Sequence, residues 1–385
     1  MYAKLLGQFF TTPSVVQDML KLVRNKGRFL EPSCGNGAFY RFLPKDKVGI
    51  ELDERVIADD GVLHMDFFSY SIEEKFDTII GNPPYVRHQD ILPDTKIKLQ
   101  PYKRIFDSRS NLYLFFIYKC ILHLKDGGEL IFITPRDFLK STSSIKMNEF
   151  LFSQGTITDF MDLGDKKIFT DAQPNCAIWR FQKGNFNRIT NGDKKFSCID
   201  GQIIFTSKEY GIAFRDLFFV KVGAVSGADD IFTSREHGNK DFVCSKTAKS
   251  GETKKMIYGK TCAYLENYKD ALLNRKIKKF DENNWWQWGR DYYKSDLPRI
   301  YVNGRTRNKT PFFMHPCRAY DGSVLAIFPK FEVAEKDLGR ICDKLNRINW
   351  QELGFVCDGR FIFSQRSLQN TMLDETFKEL VFSSQ

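Results

Sequence analysis

The run Phe76-Asp77-Thr78-Ile79-Ile80-Gly81-Asn82-Pro83-Pro84-Tyr85 opens apolar and closes on a proline-locked polar loop. Phe76 to Ile80 reads as a buried strand, ended abruptly by Gly81-Asn82-Pro83-Pro84-Tyr85. Successive prolines donate no ladder hydrogen bonds and hold φ near −65°, and Pro84 biases Pro83 toward an extended conformation. The expected product is a stiff loop at the carboxyl end of a strand, where open α/β sheets place their ligands. The loop offers an amide side chain, carbonyl groups and an aromatic ring. That set suits a planar ring bearing an amino group: acceptors take its two N–H bonds while Tyr85 stacks on its face. The plain alternative is a Pro-Pro turn with a surface tyrosine, and the neighbouring stretches decide between them.

Upstream, Val62 to Met65 reads as a short strand ending at Asp66-Phe67-Phe68, where Asp66 is placed to accept an adenine amino proton and Phe67 to pack on the ring. Before it, the strand Val48-Gly49-Ile50-Glu51-Leu52-Asp53 ends in acids, and a carboxylate there accepts both hydroxyls of a ribose. Further upstream lies Arg28-Phe29-Leu30-Glu31-Pro32-Ser33-Cys34-Gly35-Asn36-Gly37-Ala38-Phe39. This reads as a strand, a small-residue loop and a helix, and Gly35 and Gly37 let a ligand approach the backbone. It differs from GxGxxG. The acid Glu31 disfavours a pyrophosphate and favours a ligand with a cationic end, such as an amino acid moiety. First of all come Phe10-Thr11-Thr12-Pro13, with Thr12 as helix cap and Pro13 at the first helical position. Val15, Val16, Met19, Leu20 and Val23 supply the apolar face up to Gly27. The order strand, glycine loop, helix, strand, acid, strand, Asp-Phe, strand, Asn-Pro-Pro-Tyr is far more specific than any part of it.

Downstream, residues 86–109 are polar and carry Arg87, His88, Lys96, Lys98, Lys103, Arg104 and Arg109, which reads as a lid or substrate-contacting loop or else a disordered insertion. Asn111 to Leu124 is an apolar helix ended by Asp126-Gly127-Gly128. Glu129 to Thr134, Ile157 to Leu163 and Asn175 to Phe181 are the expected fifth, sixth and seventh strands, with Gln173-Pro174 shaping the entry to the last. Lys183 to Lys195 reads as a hairpin or excursion.

The chain has 385 residues, 42% of them hydrophobic, which supports two domains with real cores. Its net charge is +10, so an acidic partner is expected, nucleic acid first. Residues 1–220 carry 30 Lys and Arg against 27 Asp and Glu, and residues 221–385 carry 28 against 21, so the surplus lies mostly in the second part. The nine cysteines form no CxxC pair, and the five histidines form no HExxH, which points to free thiols and no metal site. No window is long and apolar enough for a membrane span, and no signal peptide pattern is seen. A cytoplasmic protein is expected.

From about Lys221 the character changes to mixed Gly, Lys, Asn and aromatic residues. Asn283 to Arg290 holds Trp285, Trp286 and Trp288, which read as core. Arg290, Arg299, Arg305, Arg307 and Lys309 are the candidates, with Arg87, for contacts to phosphates and base edges.

The chain resembles an S-adenosylmethionine-dependent DNA adenine-N6 methyltransferase of the gamma, TaqI-like type. The stretches that carry the likeness are Phe10 to Pro13, Leu30 to Gly37, Gly49-Ile50-Glu51, Asp66-Phe67, Gly81 to Tyr85 and Asn111-Leu112-Tyr113 through Phe116. It is strong over residues 1–180 and still traceable through Asp216-Leu217-Phe218 and Arg360 to Leu373. The resemblance implies an α/β fold: a Rossmann-like class I methyltransferase sheet of seven strands, the last antiparallel, in residues 1–220. A mixed α+β target recognition domain would follow in residues 221–385. It further implies that Thr12, Glu31 and Ser33 hold the methionine end of S-adenosylmethionine beside Gly35, that Glu51 and Leu52 hold the ribose, and that Asp66, Phe67 and Phe116 hold the adenine. Asn82, Pro83, Pro84 and Tyr85 would serve catalysis on a flipped-out adenine. Double-stranded DNA is the implied partner, the modification reaction of a restriction-modification system the implied role, and a monomer with any endonuclease on a separate chain the implied organisation. Cytosine N4, RNA and a protein glutamine amide present a similar planar NH₂ and remain rival substrates, and a DNA-binding subunit of a larger complex is the rival of another class. Members of this type place a second aromatic on the flipped base. The aligned position here is Val222, with Phe169, Phe218 and Phe219 as alternatives.

Overall fold

The computed structural model describes residues 7, 10–164, 175–357 and 359–382. The chain divides into two compact units, residues 1–208 and 209–385. The divide falls twelve residues before the expected 220/221 boundary because of strand pairing. Tyr210–Ala213 pairs with Met372–Asp374, and Phe218–Val222 pairs with Val324–Pro329, which ties 209–220 to the second unit.

The first unit is built on a seven-stranded sheet of order β3-β2-β1-β4-β5-β7-β6. Its strands are β1 (Phe29–Glu31), β2 (Lys47–Glu51), β3 (Val62–His64), β4 (Phe76–Gly81), β5 (Leu124–Pro135), β6 (Gly155–Asp162) and β7 (Cys176–Lys183). Strands β1 to β5 pair in parallel, and β7 lies antiparallel between β5 and β6. This is the seven-stranded arrangement that the resemblance implies, with the last strand reversed. The strand order turns back on itself at β1, which has β2 on one side and β4 on the other, and ligands bind at such a switch point. Central strands of a sheet covered on both faces read as near-continuous apolar runs. Leu30, Ile50, Ile79, Ile80, Leu130, Ile131, Phe132 and Ile133 are all completely buried.

Helix α1 (Pro13–Leu20) buries Val15, Val16 and Met19 against the sheet. It ends at Leu20, short of the expected Gly27, and Thr12 makes no side-chain cap bond. No α-helix follows the glycine loop. Gly35 and Gly37 stand at φ +51 and +74, which breaks regular helix, and only the 3₁₀ turn Tyr40–Phe42 forms before Pro44.

Residues 86–109 are built as structure: a 3₁₀ turn, helix α2 (Pro93–Lys98) and a second 3₁₀ turn, with Ile91, Leu99 and Phe106 buried. Helix α3 (Leu112–His123) is apolar all round and is capped by the Asn111 side chain. It passes directly into β5 at Leu124, so Asp126-Gly127-Gly128 lies inside a bulged strand and does not end the helix. Helix α4 (Ile145–Gln154) leads into β6. The excursion after β7 becomes a three-stranded antiparallel sheet of Ile189–Thr190, Lys194–Ile199 and Gln202–Thr206.

The second unit has a four-stranded antiparallel sheet, in the order Phe218–Val222, Val324–Pro329, Ile300–Asn303, Phe312–Phe313, and a long helix at Glu335–Arg347. Its core gathers Phe232, Phe242, Tyr301, Tyr320 and Phe328 around Trp285 and Trp288, so those two tryptophans are core residues as expected. No helix among the described residues is long and apolar enough to cross a membrane.

Candidate active site

The carboxyl ends of β1, β2 and β4 open into one cavity with an empty volume of about 940 Å³, part of it open to solvent. Glu31 is the last residue of β1, Glu51 the last of β2, and Asn82 the first after β4. Parallel strands put their carboxyl ends on one edge of the sheet, so three polar residues distant in sequence meet there.

Glu31 is almost fully buried, and its Oε2 has no hydrogen-bond partner among the described residues. Burial pushes this carboxyl well above the ordinary carboxylate range, opposed by the Cys34 thiol, the Tyr40 backbone N–H and Lys47 and helped by repulsion from Glu51. A buried carboxyl oxygen without a donor is costly, and a cationic ligand group would relieve it. Glu51 is held by backbone donors: Gly35 N gives a bond of 2.6 Å to Oε2, and Leu52 N and Asp53 N each give 2.9 Å to Oε1. The glycine loop is thereby tied to the end of β2.

On the far side, Asp66 accepts from Phe68 N at 2.9 Å. Phe67 and Phe116 stack with centroids 5.1 Å apart and form an apolar wall. Lys119 is buried behind them and donates to the carbonyls of Phe67 at 2.6 Å and Tyr70 at 2.8 Å. Burial draws its ammonium down to about 8. Lys119 was not among the sequence candidates: its signal, a lysine inside an otherwise apolar helix, reads as a surface position until the helix is seen to be buried.

Asn82 connects two other segments. Its Nδ2 donates to the Thr11 hydroxyl at 3.2 Å, and its carbonyl accepts from the Ser33 hydroxyl at 3.1 Å. Asn82 and Pro84 line the cavity, whereas Pro83 is buried and Tyr85 stands outside the lining. The Tyr85 hydroxyl donates to the Ile133 carbonyl at 2.9 Å, and its ring meets Tyr113 edge-on at 6.0 Å. Burial raises this phenol well above its ordinary value.

Of the expected cofactor residues, Glu31, Ser33, Gly35, Glu51, Leu52, Asp66, Phe67 and Phe116 all line the one cavity. Thr12 does not: its neighbour Thr11 lines the wall, and the Thr12 hydroxyl lies 3.3 Å from that of Ser14. Ile91, Leu92 and Thr95 from the 86–109 segment also line the cavity, which their sequence alone does not predict. The set joins an unpartnered carboxyl oxygen, a second carboxylate and an apolar wall beside a third. It fits a ligand with an ammonium at one end, a diol in the middle and an aromatic ring at the other.

Among the expected nucleic-acid residues, Arg305, Arg307 and Lys309 are exposed at and after the strand Arg305–Thr306. Arg87 is exposed and paired with Asp90 at 2.8 Å, and Arg290 is exposed and donates to the Gly223 carbonyl at 3.3 Å. Arg299 is different: it is buried, donates to the carbonyls of Leu297, Ser295 and Arg318, and lies 4.8 Å over the Phe328 ring. It is a structural residue, removed from any surface. For the second aromatic, Phe218 is completely buried against Phe214, and Phe219 is half-buried and stacked flat on Phe328 at 4.8 Å. Val222 is half-buried at the end of its strand, and Phe169 and Gln173-Pro174 lie outside the described residues.

Residues 43–169 match the family model of the Eco57I restriction-modification methylase. The chain is 34% identical over 203 residues to the Type II methyltransferase M.HincII of Haemophilus influenzae, covering 49% of this chain and 40% of that protein. It is 30% identical over 198 residues to the Type II methyltransferase M.TthHB8I of Thermus thermophilus, covering 46% of this chain and 45% of that one. The chain thus spans less than half the length of these curated relatives. Among solved structures, the Type IIL restriction-modification enzyme MmeI, determined in complex with DNA, has the same fold over 98% of this chain and 66% of its own. The TM-score is 0.60 at 12% identity. The chain therefore carries an Eco57I-like restriction-modification methylase domain, with the class I methyltransferase fold and S-adenosylmethionine as the cofactor this implies.

Proposed function

We propose that this chain is a site-specific DNA methyltransferase that transfers a methyl group from S-adenosylmethionine to N6 of an adenine flipped out of double-stranded DNA, the modification enzyme of a restriction-modification system. The observation that carries the reading is the meeting of Asn82 with Glu31, Glu51 and Asp66 around one cavity at the switch point of the sheet.

Glu31 and Ser33 would hold the methionine end, and the unpartnered Oε2 of Glu31 gives the ammonium a buried counter-charge. Glu51 and Leu52 would hold the ribose, and Asp66, Phe67 and Phe116 the adenine. When bound, this cofactor supplies an electrophilic methyl group. The chain's own task is to make a poor nucleophile competent. The N6 lone pair of adenine is delocalised into its ring. The Asn82 side-chain oxygen and the Pro83 carbonyl would accept the two amino hydrogens and favour a tetrahedral nitrogen, its lone pair aimed along the transfer axis. That is positioning and electrostatics, with the flipped base stacked on Tyr85. Arg87, Arg290, Arg305, Arg307 and Lys309 would meet the DNA. The enzyme would act as a monomer in the cytoplasm, with any cognate endonuclease on a separate chain.

The test is transfer of radiolabel from S-adenosylmethionine to unmethylated genomic DNA, followed by nucleoside analysis. Label in N6-methyladenine is expected. Label in N4-methylcytosine would move the reading to cytosine. No transfer to DNA by a protein that still binds cofactor would move it to RNA, a protein amide or a subunit that needs a partner.

A further inference from the structure

Thr95 and Lys98 stand three residues apart on α2, and so share one face of that helix. Both reach the same atom of the cavity wall. The Thr95 hydroxyl donates to Asp66 Oδ2 at 2.7 Å, and the Lys98 ammonium to the same oxygen at 3.3 Å. Asp66 and Thr95 are buried there, while Lys98 keeps part of its length in solvent. The other oxygen, Oδ1, accepts from Phe68 N at 2.9 Å. A carboxylate offers about four acceptor positions, and these three donors leave about one.

The segment that brings Thr95 and Lys98 is anchored on the same side of the molecule. Phe106 packs on Phe115 of α3 with centroids 4.2 Å apart, and Tyr102 meets Phe68 edge-on at 5.9 Å. Leu112 N bonds the Val86 carbonyl at 2.8 Å, closing the segment back onto the loop after β4. Residues 86–109 are therefore built into the wall that holds Asp66, Phe67 and Phe116.

We infer that Thr95 and Lys98 are positioning residues of the cofactor site: by occupying one oxygen of Asp66 they turn the remaining acceptor position toward the exocyclic amino group of the cofactor's purine. This rests on the assignment of Asp66 to the adenine. The chemical consequence is selectivity. The carboxylate so held accepts from a 6-amino group, whereas a 6-oxo purine turns a second acceptor, O6, toward it at that position, and sites built to bond one polar group discriminate strongly against an analogue lacking it.

The experiment is calorimetric titration of the full chain with S-adenosylhomocysteine and with S-inosylhomocysteine. In wild type the adenosyl compound binds more tightly. Thr95→Val is expected to weaken the adenosyl compound roughly tenfold, the scale of one buried hydrogen bond to a charged group, and to leave the inosyl compound within about twofold by the same reasoning. Thr95→Ser, which keeps the hydroxyl, restores the wild-type preference. Lys98→Met leaves the packing at position 95 untouched and is expected to shift the same ratio in the same direction by about threefold. An unchanged adenosyl affinity in both Thr95→Val and Lys98→Met, or an equal loss for the two nucleosides, overturns the assignment. A wild-type protein that binds neither compound overturns the underlying cofactor reading instead.

Discussion

The side-chain nitrogen of Asn82 lies 3.2 Å from the Thr11 hydroxyl, which ties the loop after β4 to the segment before α1. A carboxamide has a donor end and an acceptor end, and here the donor end faces the Thr11 hydroxyl. Thr11→Val removes the hydroxyl to which the amide nitrogen donates. Methyl transfer is expected to fall about five- to tenfold, with Thr11→Ser close to wild type. Asn82→Ala removes the acceptor itself, and turnover is expected to fall by about 100-fold or more while cofactor binding persists. Single-turnover assays beside calorimetry separate the two effects, and substantial methylation by Asn82→Ala would sink its assignment.

Glu31 makes the unbound protein sensitive to pH. Its folded-state pKa is raised well above the usual carboxyl value, chiefly by burial. The folded state therefore holds a proton that the unfolded state has released, so stability falls as pH rises from the ordinary carboxyl range toward the raised value. Glu31→Gln is expected to flatten that slope in thermal melts taken at rising pH from the ordinary carboxyl range upward, and to weaken cofactor binding. In wild type an ammonium favours the carboxylate and expels its proton, so cofactor affinity is expected to rise with pH across the same interval. A pH-independent affinity in wild type would count against Glu31 as the counter-charge.

Arg180 and Glu129 form an ion pair inside the sheet, with Nε and Oε2 2.6 Å apart and both side chains almost fully buried. Arg180→Met strands a buried charge and is expected to cost about 3–5 kcal/mol, read by chemical denaturation. Replacing both partners with apolar residues often recovers stability, but not here. Glu129 Oε1 also accepts from Arg24 N at 2.9 Å, Asn25 N at 2.9 Å and the Thr78 hydroxyl at 3.0 Å. The double variant Arg180→Met, Glu129→Met leaves those donors without their acceptor and is expected to stay destabilised.

Arg305, Arg307 and Lys309 are expected to act on DNA affinity and not on stability. Each is exposed. Alanine at any one should weaken binding similarly across DNA sequences and lower the slope of log affinity against log salt by about 0.9 for each phosphate no longer neutralised. Fluorescence anisotropy over a salt series reads this. Arg299→Ala is expected to do the opposite, lowering the melting temperature, because its guanidinium is buried on three backbone carbonyls.

The order of the motifs was enough to read the sheet and most of the cavity. Glu31, Glu51, Asp66 and Asn82 each follow an apolar run directly, and in a parallel sheet residues at the ends of such runs must share one edge. What short-range pattern could not supply was every relationship that depends on the packing of distant segments. Residues 86–109 are polar and without period, so nothing in their spacing shows that Thr95 would lie 2.7 Å from Asp66, twenty-nine residues away. Arg299 and Arg305 look alike in sequence, one beside each end of Ile300–Asn303. Only the tertiary structure buries the first and exposes the second. Thr11 and Thr12 are adjacent and chemically identical, and the backbone before α1 decides which faces the cavity. The sequence by itself determined where the strands end and the chemistry available there, because hydrophobic period and proline placement are local properties, while the strand order followed only from the family resemblance. The tertiary structure alone decided which side chains touch, because burial and hydrogen-bond partnership belong to segments that meet only after the chain has folded.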